Sequence, residues 1–312
     1  MKQFLIRRIF YAVVAILGGT LIIFFLSRAS GDPRVLFIDE YGGGPGDEVW
    51  EKMGRELGLD KPVPIQYAIW LKKSLTGDFG TSLALQRPVI TVLKERAPAS
   101  LRLGVAGWIF GTLVGIPLGI ISAIKRGTKW DYLARTFALF GQSLPTFWAG
   151  IMGILIFAGI FEWLPSGTMG EGGFSIPHLI MPAIVLGWLP AAGYLRLTRS
   201  SMLDVLESEY IKLARAKGVR YSVVIWKHAF RNALLVPLTY SGLLLIGFIT
   251  GTTVAETVFS WPGLGRLAIN SVMGNDFPVV AAIMFFTMLL YVTVVLFLDL
   301  IYAFIDPRIR TG

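Results

Sequence analysis

Few residues in this 312-residue chain could carry acid-base, nucleophilic or metal chemistry. There is no cysteine, which excludes disulfides, thiolate metal sites and a thiol nucleophile. The two histidines, His178 and His228, stand far apart, so no histidine-based metal centre is expected. No GxxxxGK[ST] phosphate loop, HExxH or GxSxG occurs, and no apolar run carries a pair of carboxylates. No residue is assigned a catalytic or metal-binding role.

Two kinds of polar residue remain. The first kind interrupts apolar runs, where burial without a partner is costly: Gln142-Ser143 beside Pro145-Thr146, Tyr240-Ser241, Thr250, Thr252, Thr253, Glu256, and Thr287 with Tyr291. A single Ser or Thr in such a run mostly bonds back to its own helix or to a neighbouring one. Glu256 is the stronger signal, although it also suits a cap or a pair with Arg266. Residues 256–266 read as a turn, with Pro262-Gly263 reversing the chain and with Phe259 and Trp261 suited to a membrane interface. Gln142, Ser143, Tyr240, Thr253, Glu256 and Trp261 are the candidates for a translocation pathway or gate.

The second kind is concentrated between Asp204 and Pro237. Leu203, Leu206, Tyr210, Leu213 and Ala214 recur at spacings of three and four, as on one helix face. Gly218 supplies a stop. A second helical pattern begins near Tyr221, with Val224, Ile225, His228 and Ala229 on one side, and closes before Pro237. The product is a helix, a glycine turn and another helix. Composition alone leaves open a basic amphipathic pair resting on anionic lipid.

The elements that position these residues are apolar. Hydrophobic residues make up 54% of the chain and charged residues 16%, with a mean hydropathy of +0.64, as in a polytopic membrane protein. Apolar runs at about 9–26, 101–124, 137–161, 176–197, 234–254 and 279–305 give six candidate spans. The first follows a short basic segment and is expected to be retained, because Arg28 rather than a small-residue cleavage site follows it. Residues 27–97 change composition abruptly, with a Gly-rich loop at 42–46, short helices at about 47–57 and 62–75, and Asp60 as the expected cap of the latter. They read as a small module outside the membrane plane.

The formal net charge of +9 reports orientation rather than nucleic-acid binding. Lys2, Arg7, Arg8, then Lys125, Arg126, Lys129, Arg135, then six basic residues from Lys212 to Arg231, then Arg308 and Arg310 all fall on one side of six spans. Residues 162–177 hold no Lys or Arg, and 257–278 hold only Arg266. Positive-inside then places both termini in the cytoplasm.

Glu209-Tyr210-Ile211-x-x-Ala214-Arg215-Ala216-Lys217-Gly218, followed by His228-Ala229-x-Arg231-Asn232-Ala233-Leu234, resembles the EAA loop of the membrane subunits of binding-protein-dependent ABC importers, in the form carried by dipeptide and oligopeptide permeases. Lys212 and Arg231 stand where the generic pattern has an acidic residue and a proline, as in the peptide-permease variant. The 256–266 turn resembles the same family, as do Gly31-Asp32-Pro33, residues 57–62, Gln66-Tyr67, residues 77–82, Asp299 and Asp306-Pro307-Arg308.

The resemblance implies an all-α, six-span type I ABC importer permease with a small extracytoplasmic module between the first and second spans. It divides the chain into residues 1–97 and a five-helix core, 98–312, whose coupling loop lies at about 204–233. Glu209, Tyr210, Ala214, Arg215, Ala216, Lys217 and Gly218 are the implied coupling residues. The implied partners are a second homologous permease, two cytoplasmic ABC ATPases that hold the ATP and Mg, an extracytoplasmic binding protein and the bilayer. The location is the bacterial or archaeal cytoplasmic (inner) membrane, with no cofactor on this chain. Implied cargo is di- or oligopeptides, and relatives of this form also carry nickel complexes, glutathione or oligosaccharides. An ion-coupled secondary transporter predicts intramembrane acidic or histidine relays and inverted repeats, neither of which is evident. A membrane-embedded enzyme lacks its constellation.

Overall fold

The structure, a computed structural model, describes residues 2–29, 51–52, 54–55, 59–250 and 252–305. The side chains of Thr250 and Asp299, residues 31–33, 42–46 and 306–308, and most of the expected 47–57 helix lie outside them. Among the described residues the chain is helical, with one isolated antiparallel bridge between Thr81 and Pro88.

In chain order the helices are α1 (Lys2–Ala29), α2 (Val63–Leu75), α3 (Val89–Ile124), α4 (Lys129–Ser143), α5 (Thr146–Gly153, continued by a π-helical turn, Ile154–Ile160) and α6 (Ile176–Leu206). After them come α7 (Glu209–Ala216), α8 (221–233, with a π-helical centre at Val224–Phe230), α9 (Leu235–Thr250), α10 (Thr253–Val258), α11 (Leu264–Met273) and α12 (Phe277–Ile305). The chain forms two compact units, residues 1–97 with 267–312, and residues 98–266.

In the first unit α1 packs along α12, and Gly19 permits the approach, because a β-carbon there would overlap the Met288 sulfur. The outward side chains of α1, among them Ile9, Phe10, Val13 and Ile22, are about half exposed, as suits a lipid-facing helix. α2 lies on α1 through Phe24, whose ring is 5.6 Å from Tyr67 and 6.0 Å from Trp70, and through a 2.8 Å hydrogen bond between the Thr20 and Tyr67 hydroxyls. Pro62, not Asp60, occupies the N-cap of α2, and no side chain caps it. Buried Asp276 accepts hydrogen bonds from the Ser82 hydroxyl and the Ala84 amide, which fixes the 77–88 segment beside the start of α12.

The second unit is built around α6. Gly107, Gly111, Gly115 and Gly119 recur every fourth residue along α3 and face Leu186, Gly187 with Pro190, Ala191 with Tyr194, and Leu195 with Thr198. Added β-carbons would collide at Gly115 and Gly119, so small residues set how closely the two backbones approach, as at membrane helix interfaces. α4 packs on α6 through Ala134, Ala138, Ala192 and Leu195. The apolar run at 137–161 is not one straight span. Leu144, ahead of Pro145, takes an extended backbone (φ −89°, ψ 124°), and α5 departs from α4 at 105°.

α1, α3, α6 and α12 are long and apolar enough to cross a membrane, and the bent α4–α5 pair is a fifth if it counts as one span. Within the expected fifth run, at 234–254, α9 covers Leu235–Thr250 and α10 starts at Thr253. α9 has 16 residues, about 24 Å at the helical rise, short of a hydrocarbon core of about 30 Å. α6, with 31 residues, rises about 46 Å, more than the depth of that core.

Candidate coupling surface

α6 ends at Leu206, and a two-residue break at Glu207-Ser208 resets the helical phase before α7 begins. The inward anchor of α7 is therefore Ile211, fully buried among Ile120, Met202, Val224 and Ile225, with Ala214 half-buried beside it. Tyr210 and Leu213, which the unbroken periodicity grouped on one face with Leu206, are exposed, whereas Leu203, Leu206 and Ala214 of that group pack into the cluster. Val224, Ile225 and Ala229 of α8 are buried on one side as expected, with His228 at the margin.

Gly218 sits at φ +74°, in the left-handed region. Its amide donates to the Arg215 carbonyl at 3.0 Å, and the Val219 amide donates to the Ala214 carbonyl at 3.2 Å. These two bonds form a Schellman end that satisfies carbonyls the helix leaves free, and Val219 packs near Ala214 in the apolar cluster beneath. Nothing in the chain lies within 4 Å of where a Gly218 β-carbon would stand. Glycine is required here by backbone conformation, not by crowding within the chain.

The two halves of the motif meet. Asn232 Nδ2 donates to the Tyr210 hydroxyl at 3.1 Å and to the His228 carbonyl at 2.7 Å, and the Ser201 hydroxyl donates to the Ala233 carbonyl at 2.9 Å. α7 and α8 are thus clasped to each other and to the end of α6. Glu209, Tyr210, Arg215, Ala216, Lys217 and Gly218 lie on the exposed side, whereas Ala214 turns partly inward. Leu213, Tyr221 and Trp226 are each more than half exposed and add apolar area that the motif reading omitted. The Glu209–Lys212 pair (2.7 Å) is exposed and adds little stability.

One bracket holds the neighbouring helices. Asp131, in the first turn of α4 and ahead of the apolar run at 137–161, receives a two-pronged bond from Arg199 (2.9 and 3.1 Å), the Ser122 hydroxyl (2.6 Å) and the Gly127 amide (3.0 Å). The Arg199 guanidinium, aided by the Ser122 and Gly127 donors, outweighs burial and holds the Asp131 carboxyl well below the usual carboxylate range.

The 256–266 turn is enclosed. Fully buried Glu256 accepts from Ser100 (2.6 Å), Thr252 (2.7 Å) and the Arg266 amide (2.9 Å). The Arg266 guanidinium bonds the Ser260 carbonyl (2.7 Å), so the backbone of Arg266 rather than its charge meets Glu256. Gly263 lies against the carboxylate and Gly265 against Thr253, where β-carbons would collide. Phe259 and Trp261 are buried rather than interfacial, and Trp261 Nε1 donates to the Ala99 carbonyl at 2.9 Å. The cause is this polar hub, which folds the turn inward onto α3.

Thr253, Glu256 and Trp261 are therefore together, while Gln142 and Ser143 sit at the α4–α5 bend and Tyr240 lies edge-on to Tyr194, with ring centroids 5.1 Å apart. The Ser143 hydroxyl bonds its own helix at the Leu139 carbonyl (2.9 Å). Among the described residues no group of three His, Asp or Glu could hold a metal ion.

Comparisons with known proteins identify the family. The family model described as "Binding-protein-dependent transport system inner membrane component" matches residues 115–311, and its N-terminal companion matches 1–104. The chain is 38% identical over 338 aligned positions to the dipeptide transport system permease protein DppB of Escherichia coli K12, covering 99% of both chains. It is 37% identical over 319 positions to the oligopeptide transport system permease protein AppB of Bacillus subtilis 168, covering 99% of this chain and 100% of that one. Among solved structures, an inward-facing MetNI methionine ABC transporter matches 71% of this chain and 97% of its own at a TM-score of 0.53 and 17% identity. An amino acid ABC transporter matches 67% and 92% at 0.51 and 16%, and both speak to fold alone. Matched along nearly its whole length, the chain belongs to the family of binding-protein-dependent transport system inner membrane components.

Proposed function

We propose that this chain is one of two homologous membrane subunits of an ATP-driven importer of di- or oligopeptides. The observation that carries this is the coincidence of end-to-end likeness to peptide permeases with an exposed helix that ends at a left-handed glycine. Six spans are formed by α1, α3, the bent α4–α5 pair, α6, the α9–α10 stretch and α12. Residues 27–97 supply the extracytoplasmic module, and both termini and α7–α8 face the cytoplasm, in keeping with the distribution of Lys and Arg.

In this reading Glu209, Tyr210, Arg215, Ala216, Lys217 and Gly218 seat against a cytoplasmic ATPase, with Leu213, Tyr221 and Trp226 adding apolar contact and Ala214 backing the helix from within. The basic side chains contribute steering and specificity more than raw affinity. Because α7 is clasped to α8 and anchored by Ile211 beneath the end of α6, displacement of the seated helix reaches α6 as a rigid push. Closure of the ATPase pair then reorients the spans between inward and outward access, and an extracytoplasmic binding protein delivers the peptide.

The test is reconstitution in proteoliposomes with the second permease, both ATPases and the binding protein. Labelled dipeptide uptake should require ATP inside and persist when an uncoupler collapses ion gradients. Uptake by this chain alone, abolished by the uncoupler, would replace this reading with a secondary transporter. Competition by a nickel complex, glutathione or an oligosaccharide, but not by peptides, would keep the importer and reassign its cargo.

A further inference from the structure

A groove between α4 and α6, about 530 Å³ in volume, is lined by Arg135, Arg196 and Arg199 together with Tyr132, Gln142 and Ser200, and no carboxylate lines it. Arg199 is committed to Asp131. Among the described residues neither Arg135 nor Arg196 has an acidic partner, and Arg135 has only the Tyr132 ring, 5.9 Å away. Two like charges thus share one cavity without a counter-ion, and hydroxyl and amide donors surround them. Arg196 falls about 30 Å along α6 from Ile176, the depth of one hydrocarbon core. The rim also carries Leu139, which is 68% exposed, and the wall carries Leu195.

We infer that this groove binds the phosphate of an anionic membrane lipid at the headgroup level of the leaflet next to the coupling helix, with Arg135 and Arg196 as its ligands. Guanidinium forks match phosphate oxygens in a bidentate way, and the long stems let the charges reach the headgroups while the apolar rim takes the first part of an acyl chain. That rim favours a lipid over free phosphate. The inference rests on the membrane orientation proposed above but not on the cargo.

The experiment uses the full chain in its complex, purified in mild detergent, titrated with phosphatidylglycerol or phosphatidylcholine and read by native mass spectrometry. Wild type should retain phosphatidylglycerol preferentially. Each basic side chain near an anionic surface strengthens binding about five-fold, so Arg135→Gln with Arg196→Gln should weaken retention about twenty-five-fold, and the Arg→Lys pair should retain part of it. Lys125→Gln with Lys129→Gln, outside the groove, should change retention far less than the double groove variant does. A photoactivatable phosphatidylglycerol should label wild-type peptides from α4 and α6, a readout that survives poor folding of the variants. Equal retention of both lipids, unchanged retention in the double Gln variant, or labelling confined to other helices would overturn the inference. Displacement of the lipid by millimolar inorganic phosphate would overturn it in favour of a free-anion site. An error in orientation would appear separately, as labelling of a Ser222→Cys variant from outside the cell.

Discussion

Gly218 offers a perturbation whose size follows from the backbone. Its φ of +74° lets two amides close the end of α7, and no atom of the chain occupies the space a side chain would fill. A non-glycine residue there has two options. It can hold the left-handed conformation, at about 1–2 kcal/mol for an unbranched residue and somewhat more for a β-branched one. Alternatively it can relax and lose two hydrogen bonds, at about 0.5–1.5 kcal/mol each. The costs are similar, so Ala should cost about 1 kcal/mol, Val about 2, and Asn, which visits this region readily, only a few tenths. Affinity for the ATPase should fall about five-fold for Gly218→Ala and about thirty-fold for Gly218→Val, with little change for Gly218→Asn. Membrane insertion should be intact in all three. Titration of the ATPase against the chain in lipid nanodiscs measures this. Normal binding by Gly218→Val would show that the turn is not needed. Equal damage from Asn and Val would mean that a partner crowds this position and that backbone conformation is not the reason for glycine.

The proposed orientation predicts that single cysteines at Ser166 and Asn275 react with an impermeant maleimide added outside intact cells, whereas those at Thr128 and Ser222 do not; the natural chain has no cysteine to interfere. Glu256→Leu should strand the Ser100, Thr252 and Arg266 donors, at about 1–3 kcal/mol for each unsatisfied group, and lower yield or thermal stability far more than Glu256→Gln does. The Asp131 carboxyl is held lower in the folded state than in the unfolded state, so its bracket stabilises fully above the unfolded value of about 3.9 and loses that effect as pH falls towards the lowered folded one. The thermal-stability gap between wild type and Asp131→Asn should therefore be equal at about pH 7 and pH 5 and shrink by about pH 3.

Much of this was legible in the chain because apolar runs and glycines act locally. The length and hydropathy of α1, α3, α6 and α12 sufficed to find them, and Gly218 marked its own turn. Three features were hidden, for physical reasons. The break at Glu207-Ser208 carries no proline or glycine, so periodicity ran through it and grouped Tyr210 and Leu213 on one face with Leu203 and Leu206, which the structure separates from them. Phe259 and Trp261 looked interfacial because amphipathic aromatics fit both a membrane surface and a core, and only the hydrogen bonds converging on Glu256 decide between them. The glycines at 107, 111, 115 and 119 were readable at a spacing of four, but their partner on α6 is a long-range fact. The bend at Pro145 shows the converse. The proline was visible, yet tolerance of prolines in α3 and α6 gave no reason to expect a 105° turn here.

Crosslinking at Ala216 tests most directly whether α7 is the element through which ATP hydrolysis drives this protein. Ala216 is exposed, about one and a half turns along α7 from the buried anchor Ile211, and an Ala216→Cys variant carries the chain's only thiol. Coupling predicts a disulfide or short maleimide bridge to a cysteine in the groove of the ATPase, with a yield that changes when nucleotide binds. If no position from Ala214 to Arg220 crosslinks to the ATPase in either nucleotide state while the complex transports, α7 and α8 only lie on the membrane surface, and the coupling role assigned to them is wrong.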